Sequence, residues 1–228
     1  MTDTKYNIVF VLFPNITQLD FTGPLQVLSR LPGASVHLAA QSLDPVPTDA
    51  VLTLNPTCTF DECPPADVLC IPGGFGVDDA ILNPVLIEFV RKESARAQYV
   101  TSVCTGAFVL GAAGVLKGKK ATTHWAYHEA LTEVGAIPVR ERVVRDGNIF
   151  TGGGVTAGID FAFTLVTEIA GVEFAKGLQL GLEYDPAPPF DAGSPDKATP
   201  ETLARMTTFY ADRGTKFREN LAKAMTNN

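Results

Sequence analysis

The sequence predicts an α/β fold in which helices cover both faces of a mostly parallel central sheet. Short, continuous apolar runs are typical of strands buried on both faces, and here they alternate with segments of helical spacing. Of the 228 residues, 46% are hydrophobic and 19% are charged, so the chain can bury a core without disulfide bonds. Because no linker or internal repeat interrupts the alternation, we expect a single domain over residues 1–228.

The first half of the chain contains four apolar runs that indicate buried strands, at residues 6–13, 35–40, 68–71 and 99–103. Helical spacing predicts three helices, at residues 19–31 with Pro24 in the first turn, 84–97 and 106–113. The alternating segments 51–54 and 57–60 predict a hairpin.

The second half continues the alternation. The Asp146-Gly147 turn predicts a hairpin, and the apolar segment after it predicts a buried helix. The predicted elements are a helix at 125–134 ended by Gly135, strands at 142–145 and 148–151, helices at 155–170 and 177–183, a Pro- and Gly-rich loop at 186–200, and a C-terminal amphipathic helix at about 201–222.

Charge and segment lengths exclude several classes of function. The net charge is −7 and there is no long basic run, which argues against nucleic-acid binding. The N-terminal apolar run at residues 8–13 is too short for a membrane span or a signal peptide, so we expect a cytoplasmic protein without a membrane partner. The four cysteines lack zinc-site spacing and should be free thiols; they are Cys58, Cys63, Cys70 and Cys104.

Cys104 lies in the sharpest local pattern of the chain, the segment VTSVCTG at residues 100–106. A buried strand runs into this cysteine, and a helix of small residues begins at once, as in a nucleophile elbow. A helix N-terminus favours thiolate, so we expect a lowered pKa and a nucleophilic role for Cys104. The alternative is a buried structural cysteine, which is our interpretation of the other three.

Asp20 follows the first strand in an apolar setting. It could cap the next helix, because an Asp oxygen accepts backbone N–H groups there. It could instead face Cys104, because the carboxyl ends of parallel strands meet at one edge of the sheet. Gly73 and Gly74 follow another strand, and their N–H groups could stabilise developing negative charge, or they could only form a tight turn.

Two weaker patterns favour structural interpretations. Gly152-Gly153-Gly154 precedes a helix and resembles a dinucleotide motif, but it lies late in the chain and no strand follows that helix. His124 and His128 have a metal-ligand spacing, but no third ligand is suggested, so we predict no metal site. We interpret these glycines as close-packing residues and these histidines as hydrogen-bonding core or interface residues.

These motifs together resemble the ThiJ/PfpI superfamily, and within it the bacterial isocyanide hydratases. The resemblance spans most of the chain, from residue 6 to about 196, in the stretches 19–24, 71–74, 100–106, 121–128, 142–146, 151–160 and 184–195. The cysteine elbow alone indicates only the superfamily. The segments around Asp20, His124 and Phe190 are more specific. Departures from the wider superfamily are the short Asp20 in place of Glu, and Thr105 in place of the His of PfpI-type peptidases.

The resemblance implies a flavodoxin-like three-layer sandwich, a homodimer, and cofactor-independent hydration of isocyanides to N-substituted formamides through a thioimidate. It implies that Cys104 is the nucleophile and Asp20 the proton donor. Thr105, Gly73 and Gly74 would orient substrate or water or bind developing charge. No metal is implied.

Two other classes of function stay open at this point. One is a non-enzymatic sensor, either an AraC-like ligand-binding fold or a redox sensor that uses Cys104. For the AraC-like alternative, we expect the chain to end too soon to carry the basic DNA-binding module. The other is a glyoxalase- or deglycase-like enzyme, although that chemistry goes with the longer Glu in the family. Turnover of an aryl isocyanide against methylglyoxal separates these classes.

Overall fold

A computed structural model describes residues 5–226 and shows a seven-stranded sheet with helices on both sides. The strands are β1 (Tyr6–Val11), β2 (Ala34–Ala40), β3 (Val46–Pro47), β4 (Thr53–Leu54), β5 (Cys58–Thr59), β6 (Val68–Ile71), β7 (Tyr99–Val103), β8 (Lys120–Ala121), β9 (Ile137–Pro138), β10 (Val143–Asp146) and β11 (Ile149–Gly152). The α-helices are α1 (Gln18–Leu28), α2 (Val77–Ala80), α3 (Pro84–Ser94), α4 (Gly106–Ala112), α5 (Ala157–Ala170), α6 (Val172–Gly181) and α7 (Pro200–Thr226), with a 3-10 helix at Trp125–Val134.

The strand order β10-β11-β7-β6-β1-β2-β5 brings the chain's functional candidates together. All neighbours are parallel except β10 and β11, so β1, β6 and β7 end at the same edge of the sheet. After β1 the chain adds β2 on one side of β1 and later adds β6 on the other side. The direction in which strands are added therefore reverses between β1 and β6, and this is the switch point of the sheet. Open α/β sheets place their sites at such a point. The predicted α/β architecture, its parallel sheet and its elbow are confirmed.

Several local predictions were wrong in informative ways. The segments 51–54 and 57–60 do not pair with each other: β4 pairs with β3, and β5 joins the main sheet beside β2. Alternation indicates strands but does not choose their partners. Pro24 lies well inside α1 rather than in its first turn. The segment 125–134 is helical but of the 3-10 type, and α7 extends beyond the predicted 201–222 at both ends.

Glycines allow the close approach of elements beneath the elbow. Gly106 starts α4, and a Cβ there would collide with the carbonyl oxygens of Ile71 and Pro72 at the end of β6. Gly158 of α5 faces Pro24 of α1 in the same way, with Pro24 Cδ 3.0 Å from the position of a Cβ. Gly147 has φ 63°, as the predicted tight hairpin between β10 and β11 requires.

The C-terminal helix packs its second half on the main core. Phe217 and Leu221 are fully buried or nearly so, and the ring of Phe217 lies edge-on to Phe108 of α4 at 4.8 Å. All seven residues of α4 are buried between the sheet and this layer. The single-domain organisation stays a prediction. In the described part of the chain, no helix is both long enough and apolar enough to cross a membrane.

Candidate active site

Cys104 occupies a strained backbone position at the elbow between β7 and α4. Its φ is 55°, in the left-handed region that residues other than glycine rarely adopt. Its N–H donates to the carbonyls of Gly153 at 2.7 Å and Gly152 at 3.1 Å, and its own carbonyl accepts from Thr123 Oγ1 at 2.6 Å. These bonds hold the strained residue from both sides. They also give Gly152 and Gly153 a positional role, because their carbonyls accept the Cys104 N–H.

Asp20 lies in the first turn of α1 with its side chain completely buried. Its Oδ2 accepts the N–H of Gly73 at 2.9 Å, across the switch point of the sheet. The N-cap position belongs to Thr17, so the alternative of Asp20 as the helix cap is wrong. Its Oδ1 is also buried, and no nitrogen or oxygen of residues 5–226 bonds to it. This oxygen therefore has the capacity to accept or carry a proton for a reaction.

The Asp20 carboxyl and the Cys104 thiol interact directly. Burial raises the pKa of Asp20 to about 7, and hydrogen bonds from Gly73 and from the Cys104 thiol oppose that rise. Burial also raises the pKa of Cys104 well above its usual value, and the nearby Asp20 carboxylate raises it further. The expected lowering of the thiol pKa was therefore wrong: the contacts from Thr105 do lower it, but burial and the carboxylate dominate.

Thr105, Gly73 and Gly74 surround this pair, but the N–H groups of the two glycines already have acceptors. Gly73 donates to Asp20, and Gly74 donates to Thr105 Oγ1 at 3.0 Å, while that hydroxyl donates to the Gly74 carbonyl at 3.1 Å. A Cβ on Gly73 would lie 2.8 Å from both Asp20 Oδ2 and Thr105 Oγ1, so only glycine fits. In this geometry the two glycines position the acid and the hydroxyl; their role as donors to an oxyanion stays a prediction.

A cavity of about 60 Å³ opens onto Cys104. Its walls come from six parts of the chain: Thr17, Gly74, Phe75, Asp78, Cys104, Thr105, His124, Tyr127, Val155, Tyr210 and Phe217. Cys104 itself is only 7% exposed, so the cavity excludes bulk solvent from the sulfur. Aromatic rings form much of the wall, and His124 and Tyr210 lie 4.9 Å apart.

Sequence reasoning missed most of this wall. His124 was expected in the core or at an interface, yet it lines the cavity, where burial lowers its pKa to about 4 and keeps it neutral at physiological pH. His128 is buried, and among residues 5–226 neither ring nitrogen has a hydrogen-bond partner, contrary to the expected hydrogen bonding; the nearest carboxylate oxygen, of Glu129, lies 3.8 Å from Nδ1. Tyr210 and Phe217 belong to the apolar stripe of the C-terminal helix, which the sequence predicted only as amphipathic. That stripe was the available signal, but it does not show what lies opposite.

The remaining cysteines and histidines do not assemble a second site. Cys70 is buried within β6, and burial raises the pKa of its thiol to about 12. Cys58 lies at the sheet edge, and all four cysteines are free thiols. Over residues 5–226, no three His, Cys, Asp or Glu side chains form a group that would hold a metal ion.

A strained cysteine at a strand–helix elbow, beside a buried carboxyl, defines an α/β protein of the nucleophile-elbow class. More particularly, the chain belongs to the DJ-1/PfpI family, whose model matches residues 6–168. An isonitrile hydratase from Pseudomonas putida is 59% identical to it over 191 residues, which is 84% of each chain.

Other similar proteins differ in what they carry around the shared fold. A crystal structure of a ThiJ/PfpI family protein from Pseudomonas syringae matches with a TM-score of 0.93 and 43% identity, covering 96% of this chain and 91% of that one. The HTH-type transcriptional regulator CdhR of Pseudomonas aeruginosa is 27% identical over 175 residues, which is 73% of this chain but 51% of the regulator.

The raised pKa of Asp20 predicts a specific pH dependence of stability. Between the unfolded pKa of 3.8 and the folded pKa of about 7, the folded protein binds more protons than the unfolded chain. The free energy of unfolding should therefore fall as pH rises through this window and level off above it. Asp20→Asn has no proton to lose at this position. The free energy of unfolding of Asp20→Asn minus that of wild type should therefore increase by roughly 4 kcal/mol between pH 4 and pH 8. Denaturant unfolding of both proteins across this range measures the difference. Parallel curves would contradict a buried, proton-binding Asp20.

Proposed function

We propose that this chain catalyses the hydration of isocyanides, R–N≡C, to N-substituted formamides. Isonitrile is another name for isocyanide. The isonitrile hydratase of Pseudomonas putida is 59% identical to this chain over most of both chains. The observation that carries the proposal is a fully buried Asp20 carboxyl close enough to the strained Cys104 elbow for each group to shift the pKa of the other. Together, Cys104 and Asp20 supply a nucleophile and a proton carrier side by side, next to a small cavity that limits the access of solvent.

The first step uses a single proton shared by the pair. In the reactive form that proton resides on Asp20, and Cys104 is a thiolate, a soft nucleophile suited to the terminal isocyanide carbon. Sγ forms a bond to this carbon while Asp20 delivers the proton to the same carbon, which gives the thioimidate R–N=CH–S. Asp20 is left as a carboxylate, and the total charge is unchanged.

The second step uses Asp20 as a base. Water adds to the thioimidate carbon, and its proton passes through Asp20 to the nitrogen. Asp20 then takes the hydroxyl proton as the C–S bond breaks, which releases R–NH–CHO and restores the thiolate and the protonated acid. Thr105 would orient the water or the substrate, because its hydroxyl lies beside Cys104 and is held by Gly74. These steps use only side chains of this protein.

The family resemblance also supports several coarser proposals. We propose a homodimer, a cytoplasmic location and a single domain over residues 1–228.

Replacement of the nucleophile tests the activity. Cys104→Ala should show no hydration of an aryl isocyanide, because no other group can form the thioimidate. The matched control is Cys58→Ala, a thiol deletion at the edge of the sheet, which should keep the wild-type rate. Loss of the ultraviolet absorbance of the isocyanide measures turnover. Substantial turnover by Cys104→Ala would contradict the mechanism.

Replacement of the acid separates proton transfer from positioning. Asn keeps the size of Asp20 and an oxygen that can accept from Gly73, but it cannot carry a proton at neutral pH. Asp20→Asn should therefore lower kcat by roughly 100-fold or more while the protein stays folded. Steady-state hydration beside a thermal melt measures both effects. A near-normal rate in a folded Asp20→Asn protein would mean that the carboxyl is structural.

A further inference from the structure

The catalytic cavity is too small for a complete substrate of ordinary size. Pockets that hold drug-sized ligands measure about 300–1,000 Å³, whereas the cavity at Cys104 has about 60 Å³. It can hold the isocyanide group and little of the N-substituent. A larger substituent must therefore occupy space outside this cavity.

Tyr210 of α7 lies at the boundary between the cavity and a neighbouring groove of about 350 Å³, because its side chain lines both spaces. The groove runs between the 3-10 helix and α7, and Tyr127 and Tyr210 line both spaces. The Tyr210 ring packs among other rings, 4.9 Å from His124 and 5.5 Å from Trp125, so neighbouring side chains hold it in this boundary position.

The lining of this groove favours an apolar, flat substituent. Aromatic side chains form one part of it, small residues form most of the rest, and one charged residue, Arg218, contributes. Gly214 leaves particular room: a Cβ built there meets no other atom within 4 Å. A second cavity of about 400 Å³ also adjoins His124, but Arg140, Arg142 and Asp196 line it, which suits an apolar group less well.

We propose that Tyr210 sets the size limit for the N-substituent of the isocyanide, because its ring stands between the catalytic cavity and a groove that would otherwise accept aryl and other flat, apolar substituents. This inference rests on the hydration activity proposed above and extends it to α7, which lies beyond residues 6–168 of the family match. Tyr210 acts here as a specificity-determining residue and takes no part in the chemical steps.

The test compares kcat/KM for methyl, cyclohexyl and 2-naphthyl isocyanide. Wild type should lose efficiency steeply with size. Tyr210→Ala joins the cavity to the groove and should raise kcat/KM for the naphthyl compound, relative to the methyl compound, by about tenfold or more. Tyr210→Phe keeps the ring and should keep the wild-type size profile. Adding Gly214→Leu to Tyr210→Ala should remove the gain, because the new side chain fills the groove.

A second measurement reports access to Cys104 without hydration. N-methyl- and N-phenylmaleimide alkylate the thiol, and peptide mass mapping gives the rate at Cys104. Tyr210→Ala should accelerate the phenyl reagent selectively. Phe174→Ala is the control, since Phe174 of α6 is an aromatic residue that lines neither the cavity nor the groove; it should keep both size profiles.

The outcomes separate the two proposals. Selective acceleration of alkylation without isocyanide turnover by any variant would refute the proposed function and support the role of Tyr210. If Tyr210→Ala hydrates isocyanides normally but its size profile matches that of wild type, both in hydration and in maleimide alkylation, the inference is overturned.

Discussion

The buried contact between Asp20 and Cys104 is the constraint on which the rest of the structure depends. A carboxyl and a thiol that share one low-dielectric site cannot both ionise easily, so they hold a proton between them. The sheet creates this contact by ending β1, β6 and β7 at one edge. The strain at Cys104, with φ 55°, turns the sulfur toward that edge, and glycines let the backbones approach closely enough.

The chemistry and the shape of the site come from different parts of the chain. The proposed nucleophile Cys104, the proposed acid Asp20 and the glycines beside them lie within residues 6–168, the part that the family model matches. Much of the aromatic wall comes from Tyr210 and Phe217 of α7, outside that part. Changes in α7 can therefore alter which molecules reach the reactive pair without altering the pair itself. The regulator that matches 73% of this chain shows that the fold also occurs beside other modules.

The sequence predicted what depends on local order and missed what depends on distant packing. The strand–turn–helix pattern at Cys104 located the elbow, and the shared edge of parallel strands brought Asp20 toward it. The sign of the thiol pKa shift was wrong because the helix N-terminus is visible in the sequence but burial is not. The partner of β4 and the contact of Tyr210 with His124 were missed for the same reason, since residues far apart in the chain make them.

The most direct test of the shared-proton mechanism is the mass of the protein during turnover. Wild type is mixed with excess aryl isocyanide, quenched within the first turnovers, and analysed intact and as peptides. The account predicts an adduct equal to the mass of one isocyanide, located on Cys104, because the thioimidate adds the whole substrate to the thiol. Turnover with no such adduct under conditions that slow its hydrolysis, or with an adduct on another residue, would contradict covalent catalysis by Cys104.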